Sequence, residues 1–159
     1  MNINIREATF YDQDDILTIL NEVSAELKRK GIDQWQERWS PLANFVELHH
    51  RRLYVVTLDE KIVGTFGIKG LDTLVDLSIE PGSKYLYHIA ILPEYQGQGI
   101  GAQITAFAKR LAKPAIYLDC WAGNEKLKDF YGKMGFEYLG DHPEKDYYIS
   151  IFKYNKHEE

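Results

Sequence analysis

Residues 90–104, AILPEYQGQGIGAQI, set an apolar run, a proline, three glycines in five positions and an amphipathic run in direct succession. Few other stretches constrain a fold so tightly. The apolar run from Tyr85 reads as a largely buried, central strand, and Pro93 ends it because proline donates nothing to a ladder. Ile100, Ile104, Phe107 and Leu111 then recur at helical spacing, and Pro114 stops that helix. Between strand and helix stand Gly97, Gly99 and Gly101, a residue type useful where backbone must turn sharply or approach another group closely.

The rest of the chain supplies the layers around this unit. INIREAT alternates as a first strand. Acidic Asp12, Asp14 and Asp15 precede a helix with Ile16, Leu20, Val23 and Leu27 on one face and Gly31 at its C′ position. Ser40-Pro41 is an N-cap and N1 pair for a second helix, with Leu42, Phe45, Val46 and His49 on one face. RLYVVTLDEKIVGTFGIKG reads as two strands around a turn at Asp59-Glu60. AIYLDCW is a buried strand, NEKLKDFYGKMGF a short helix with Leu127, Phe130 and Met134 inward, and YYISIFKY a final strand. This order predicts one α/β domain over residues 1–159, with a single mixed, mostly antiparallel twisted sheet of about six to seven strands and about four flanking helices.

Composition narrows the function. A net charge of −5 gives no general pull toward nucleic acid. No apolar run is long enough to span a bilayer, and the opening MNINIREATFYDQDD lacks the basic and apolar regions of a signal peptide. Cys120 is the one cysteine, so no intrachain disulfide forms and a reducing cytoplasm is expected. The five histidines and the cysteine show no metal-ligand spacing, and no metal is expected.

Glycines ahead of a helix let backbone N–H groups crowd around an anion, helped by the helix dipole. They also suit a plain packing turn. Among phosphate motifs, the P-loop fails because Ala102 and Gln103 stand where it needs lysine and a hydroxyl residue. The dinucleotide fingerprint is formally met by Gly97, Gly99 and Ala102. Asp119 even lies about 22 residues beyond Gly97, near the ~20 expected of a ribose ligand. PEYQ, however, separates strand from turn, and an antiparallel hairpin precedes it. The acyl-coenzyme A motif Q/R-x-x-G-x-G/A fits Gln96, Gly99 and Gly101 directly.

With YHIAILPEYQGQGIG followed by YLDCWAGNEKLKDFYGKMGF, the chain resembles the GCN5-related N-acetyltransferase (GNAT) superfamily over nearly its whole length. The resemblance implies the acyl-CoA N-acyltransferase fold, acetyl-CoA as co-substrate and a primary amine as acceptor, attacked directly in a ternary complex. It assigns the diphosphate to the backbones of Gln96, Gly97, Gln98, Gly99, Ile100 and Gly101, with neutral Gln96 where many members carry arginine. The pantetheine arm falls to the strand edge near Ile91 and to Asn124, which also suits an ordinary helix cap. Aligned on the glycines, the N–H of Ile89 faces the developing oxyanion, freed from the ladder by a bulge. Tyr131 occupies the general-acid position, with plain packing as its alternative role. The general base stays open among His88, Tyr87, Tyr85, Glu80 and Asp76, or a water relay. Strand alternation would turn His88 away from Tyr87 and Ile89. The acceptor site falls to residues 31–41, where Trp35 and Trp39, together with Tyr87, would bind a small apolar or aromatic amine; the tryptophans equally suit anchors of a long loop. A homodimer stays open, and a non-catalytic acyl-CoA-binding or sensor module on the same fold is the alternative function.

Overall fold

The computed structural model describes residues 2–32, 35 and 39–156. Among these, seven strands form one sheet in the order β1-β2-β3-β4-β5-β7-β6. They are β1 (Ile3–Glu7), β2 (Leu53–Leu58), β3 (Lys61–Gly70), β4 (Lys84–Ile91), β5 (Ala115–Trp121), β6 (Glu137–Glu144) and β7 (Tyr147–Asn155). The α-helices are α1 (Gln13–Arg29), α2 (Pro41–His49), α3 (Ile100–Leu111) and α4 (Glu125–Lys133). β1 with β2, β2 with β3, β5 with β7 and β6 with β7 run antiparallel. β4 and β5 run parallel, paired at Lys84 with Ile116 and Tyr85 with Tyr117. The sheet is therefore mixed and mostly antiparallel, as the element order implied. No helix among the described residues is long and apolar enough to cross a membrane.

The chain divides into two compact units, Met1–Ile68 with His88–Ile104, and Lys69–Tyr87 with Thr105–Glu159. In the first, α1 buries Ile16, Ile19, Leu20 and Val23 against Leu53, Val55, Ala90 and Leu92. Each such side chain contributes about 1.5–3 kcal/mol on leaving water, against about 0.3–1 kcal/mol for a charge at a helix end, so packing rather than the acidic start fixes α1. In the second unit, Leu71, Ala115, Tyr117, Ile149 and Ile151 form the core.

Local signals are realised where the residues themselves dictate backbone. Asp59 and Glu60 both take positive φ, +49° and +74°, in the two-residue β2–β3 turn. The Ser40 hydroxyl accepts from the Ala43 N–H at 3.1 Å with Pro41 in the first turn of α2. Gly31 and Gly135 follow their helices at φ +72° and +91°.

The α2 face that carries Leu42, Phe45, Val46 and His49 is the outer one: Leu42 is 74 % exposed and the other three are exposed as well, while Asn44 is 8 % exposed and Leu48 is buried. The reason is a hydrogen bond from Asn44 Nδ2 to Gln13 Oε1 of α1 at 3.1 Å, which lets a polar residue occupy the inner face. Residues 137–144 also form a strand that the sequence reading lacked, so YYISIFKY is the inner strand β7, flanked by β5 and β6. The register of β6 against β7 shifts between Tyr138 and Asp141, around Gly140 at φ +98°.

Candidate active site

The second half of β4 is where regular pleating fails. His88 takes φ +52°, the left-handed region, inside a strand. Such a conformation costs on the order of 1–3 kcal/mol for a non-glycine residue and marks a bulge or functional site. Alternation breaks where Leu86 and Tyr87 are consecutively buried, whereas His88 is exposed between buried Tyr87 and half-buried Ile89. The twist aims the His88 ring at Trp39, with ring centres 4.7 Å apart and planes at 82°. Trp35 stands 5.2 Å from Trp39, edge to face, and 6.4 Å from His88. Trp39 is fixed by its indole N–H, which donates to Ser24 Oγ at 2.8 Å. The rest of the 31–41 segment is only partly described; Asp33, Gln34, Gln36, Glu37 and Arg38 lie outside the described residues.

Trp39 and His88 border a cavity of about 80 Å³ whose wall includes Ile16, Leu20, Leu53 and Phe66. Its polar lining includes Ser40, Asn44, Glu47 and Thr65. Glu47 receives Arg52 at 2.8 Å, and the Thr65 hydroxyl donates to the Tyr54 carbonyl at 2.8 Å. Ser40 stands out in the sequence only as a helix cap, and Asn44, Glu47 and Thr65 do not stand out as site residues; the one available signal is Asn44 among the apolar residues of α2.

Past β4, the chain turns over Pro93–Tyr95 and reaches the glycines. Gln96 Nε2 donates to the Ile91 carbonyl at 3.0 Å and Gln98 Nε2 to the Glu94 carbonyl at 3.3 Å, tying the turn to what precedes it. The Ile91 carbonyl, expected to meet an extended arm, therefore already accepts one hydrogen bond. Gly97 and Gly99 sit at φ +78° and +85°, and a Cβ on either would meet no heavy atom within 4 Å. The Gly99 carbonyl accepts from Gln103 N at 3.1 Å, so α3 starts there. Helix geometry gives the N–H groups of Ile100 and Gly101 no acceptor within α3, at the positive end of its dipole. Open left-handed glycines at an exposed helix start fit an anionic diphosphate.

The second unit holds the remaining expected residues. Tyr131, on α4, is 4 % exposed and packs against Phe130, Phe136 and Phe152. Burial, reinforced by Cys120 and Asp119, pushes its phenol well above the ordinary tyrosine range, so the group keeps its proton at neutral pH. Asn124 Oδ1 accepts from Leu127 N at 3.2 Å and caps α4, the bland role the sequence allowed. Tyr87 is 7 % exposed, stacked on Tyr85 at 5.6 Å with the Lys69 ammonium 4.7 Å from its ring centre, which is a packed position rather than an open wall. Of the other base candidates, Tyr85 donates to Asp119 Oδ2 at 2.6 Å, Asp76 lies 3.7 Å from His142 on the surface, and Glu80 is exposed. Burial raises the Asp119 carboxyl, with the Tyr85 hydroxyl opposing it. Burial also pushes the Cys120 thiol up to about 12. Asp119, the formal ribose ligand of a dinucleotide site, is thus spent on Tyr85. Among the described residues no group of three or more His, Cys, Asp or Glu could hold a metal ion.

A sheet of this order with a bulged β4 leading into an open glycine turn and helix defines an acyl-CoA N-acyltransferase fold. The sequence profile of the acetyltransferase (GNAT) family matches residues 17–136. The chain belongs to that family, whose acyl donor is acetyl-CoA, and it is an N-acetyltransferase. An uncharacterized N-acetyltransferase of Bacillus subtilis is 25 % identical over 147 residues, covering 84 % of this chain and 81 % of that protein. The S-alkylcysteine N-acetyltransferase of the same organism is 28 % identical over 142 residues, covering 83 % and 77 %. A GNAT-family acetyltransferase structure from Streptococcus agalactiae superposes with a TM-score of 0.87 at 20 % identity, over 98 % of this chain and 96 % of that one. The PaiA N-acetyltransferase of Thermoplasma acidophilum, solved with coenzyme A, gives 0.74 at 19 % identity, over 97 % and 100 %.

Proposed function

We propose that residues 1–159 work as one domain that transfers the acetyl group of acetyl-CoA to the primary amine of a small molecule, by direct attack in a ternary complex. One observation carries this reading. A single strand, β4, bends at His88 toward the Trp39 cavity and runs, within a few residues, into the open glycine turn of α3. An acceptor pocket and an anion cradle thus share one rigid lead. The S-alkylcysteine relative supports a small acceptor, and the coenzyme A complex of the Thermoplasma relative supports the donor.

The thioester supplies an activated acetyl group. The N–H groups of Ile100 and Gly101, with the backbone of residues 96–99, hold the diphosphate. Ile91 and Asn124 meet the pantetheine arm. His88, at the cavity rim, takes the proton that the acceptor ammonium loses before attack. As the N–C bond forms, the Ile89 N–H stabilises negative charge on the carbonyl oxygen. As the C–S bond breaks, Tyr131 protonates the departing thiolate and is replenished from the second proton the nitrogen sheds. Trp39 lines the acceptor side with Trp35 packed behind it, while Tyr87, stacked on Tyr85, stands outside that wall.

The test is a panel of small amines and short peptides incubated with acetyl-CoA, reading free thiol. Thiol release dependent on a small amine is the expected result. Thermal stabilisation by coenzyme A without release by any acceptor would make the protein a binding module instead.

A further inference from the structure

We infer that the acceptor carries a short aliphatic side group, which enters the cavity beside His88, and that an aromatic ring is excluded. The inference rests on the proposed acetyl transfer and adds to it the class of acceptor.

Volume is the first ground. The cavity measures about 80 Å³. A cavity of about 150 Å³ is known to admit benzene, so this one, at little more than half that volume, is too small for a ring. The deep part of the wall is fixed by packing. Ile16 and Phe66 are wholly buried, and Leu20 and Leu53 are 3 % and 4 % exposed, in interiors packed as densely as organic crystals.

Chemistry is the second ground. Four polar groups of the lining already have partners within the protein: Asn44 Nδ2 donates to Gln13, Arg52 donates to Glu47, the Thr65 hydroxyl donates to the Tyr54 carbonyl, and the Ser40 hydroxyl accepts from Ala43 N–H. A polar side group entering here would exchange water for these engaged partners, and leaving a buried polar group unpaired costs about 1–3 kcal/mol. An apolar group loses nothing. The amine itself stays at the rim, where His88 is exposed.

The orientation of α2 is the third ground, independent of the cavity's measured size. The helix directs Leu42, Phe45 and Val46 outward and presents small Ala43 and Asn44 to the cavity. With its large apolar residues turned inward the helix would fill this space. The space is kept by the helix's rotation.

The experiment compares acceptors that share one scaffold and differ only in side group, methyl, ethyl or propyl against benzyl. Two scaffolds, simple primary amines and cysteine thioethers, are used with acetyl-CoA and the intact chain, reading thiol release. We expect kcat/KM for the benzyl member to fall at least ten-fold below the propyl member, a pocket discrimination of the usual size. Leu20→Ala, which enlarges the cavity, should shift that ratio toward benzyl; Phe66→Leu is a milder enlargement if the first variant does not fold. Benzyl acceptors turned over as well as propyl ones would overturn the inference while leaving acetyl transfer intact. Turnover of no amine at all would overturn the transfer reading and this inference with it.

Discussion

Gln96 donates its side-chain N–H to the carbonyl oxygen of Ile91 at 3.0 Å, so the residue opening the glycine turn is clipped to the end of the strand that leads into it. A side chain that points back at β4 holds the turn from behind and leaves its outer face to backbone groups. Gln96→Ala should therefore weaken acetyl-CoA binding by loosening the turn. One net hydrogen bond is about 0.5–1.5 kcal/mol, so KM for acetyl-CoA should rise roughly two- to thirteen-fold. Gln96 is exposed, so the melting temperature should barely move. An unchanged KM would mean that the glycines hold the turn without the clip.

Gly99 tests the cradle itself. Its left-handed φ disfavours any side chain, yet the space beside it is empty of protein. Gly99→Asp should therefore cost the fold only on the order of 1–2 kcal/mol in backbone strain and place a like charge in the proposed diphosphate cradle. Calorimetry should show coenzyme A affinity falling a hundred-fold or more in a folded variant. Retained affinity would put the diphosphate elsewhere.

The contrast between turn and helix explains what was legible in the sequence. Gly97, Gly99, Asp59-Glu60, Ser40-Pro41 and Gly135 each act through their own backbone or a neighbour a few residues away, and each appears where the sequence reading put it. Which way α2 turns that face is not legible in the sequence, because the orientation depends on Gln13, distant in sequence, and on a cavity that residue pattern does not reveal. β6 was missed because EYLGDHPE is poor in strand formers; it is an edge strand, where Gly140 and Pro143 are tolerated. The Tyr85–Asp119 pair likewise joins residues on two strands and shows only once β4 and β5 lie side by side. The left-handed backbone at His88 was foreseen only as a bulge near Ile89, and its consequence, a ring turned onto Trp39, was not.

Tyr131→Phe removes one oxygen and keeps the ring among Phe130, Phe136 and Phe152. The variant should fold and bind coenzyme A like the parent while kcat drops about a hundred- to ten-thousand-fold, the usual worth of a positioned proton donor. Burial holds the phenol protonated beyond the ordinary tyrosine range, so the parent's rate should show no loss attributable to Tyr131 between neutral pH and pH ~10. Full activity in the variant would leave Tyr131 a packing residue.

Asp12 anchors the chain between β1 and α1. Arg6 reaches both its oxygens, at 2.8 and 3.0 Å, and the Thr9 N–H donates at 2.7 Å. The Arg6 hydrogen bonds hold the Asp12 carboxyl below its ordinary range. A lowered folded-state value means the pair stabilises above the unfolded value near pH ~4 and loses that contribution as pH falls through the folded one. Arg6 is 42 % exposed, so water screens the pair and Asp12→Asn should cost about 1 kcal/mol at pH 7. That corresponds to a melting shift of about 2–4 °C. The gap between parent and variant should close in strongly acidic buffer; a gap unchanged at low pH would mean the effect is not ionic.

The two tryptophans should separate in kinetics as they do in space. Trp39 borders the cavity and faces His88 at 4.7 Å, whereas Trp35 meets His88 at 6.4 Å and packs on Trp39. Trp39→Ala removes one wall of the proposed acceptor cavity. Its loss should raise the amine KM about ten- to two-hundred-fold, the span of about 1–3 kcal/mol in an apolar pocket. Trp35→Ala removes a buttress, and Trp39 keeps its hydrogen bond to Ser24, so the rise should be several-fold smaller. Both variants should leave the KM for acetyl-CoA within about two-fold, because residues 96–101 are untouched. Steady-state kinetics with each substrate varied in turn decides the matter. Equal losses toward both substrates would make the tryptophans general supports of the fold, and a loss confined to acetyl-CoA would mean that the donor, not the acceptor, lies against Trp39.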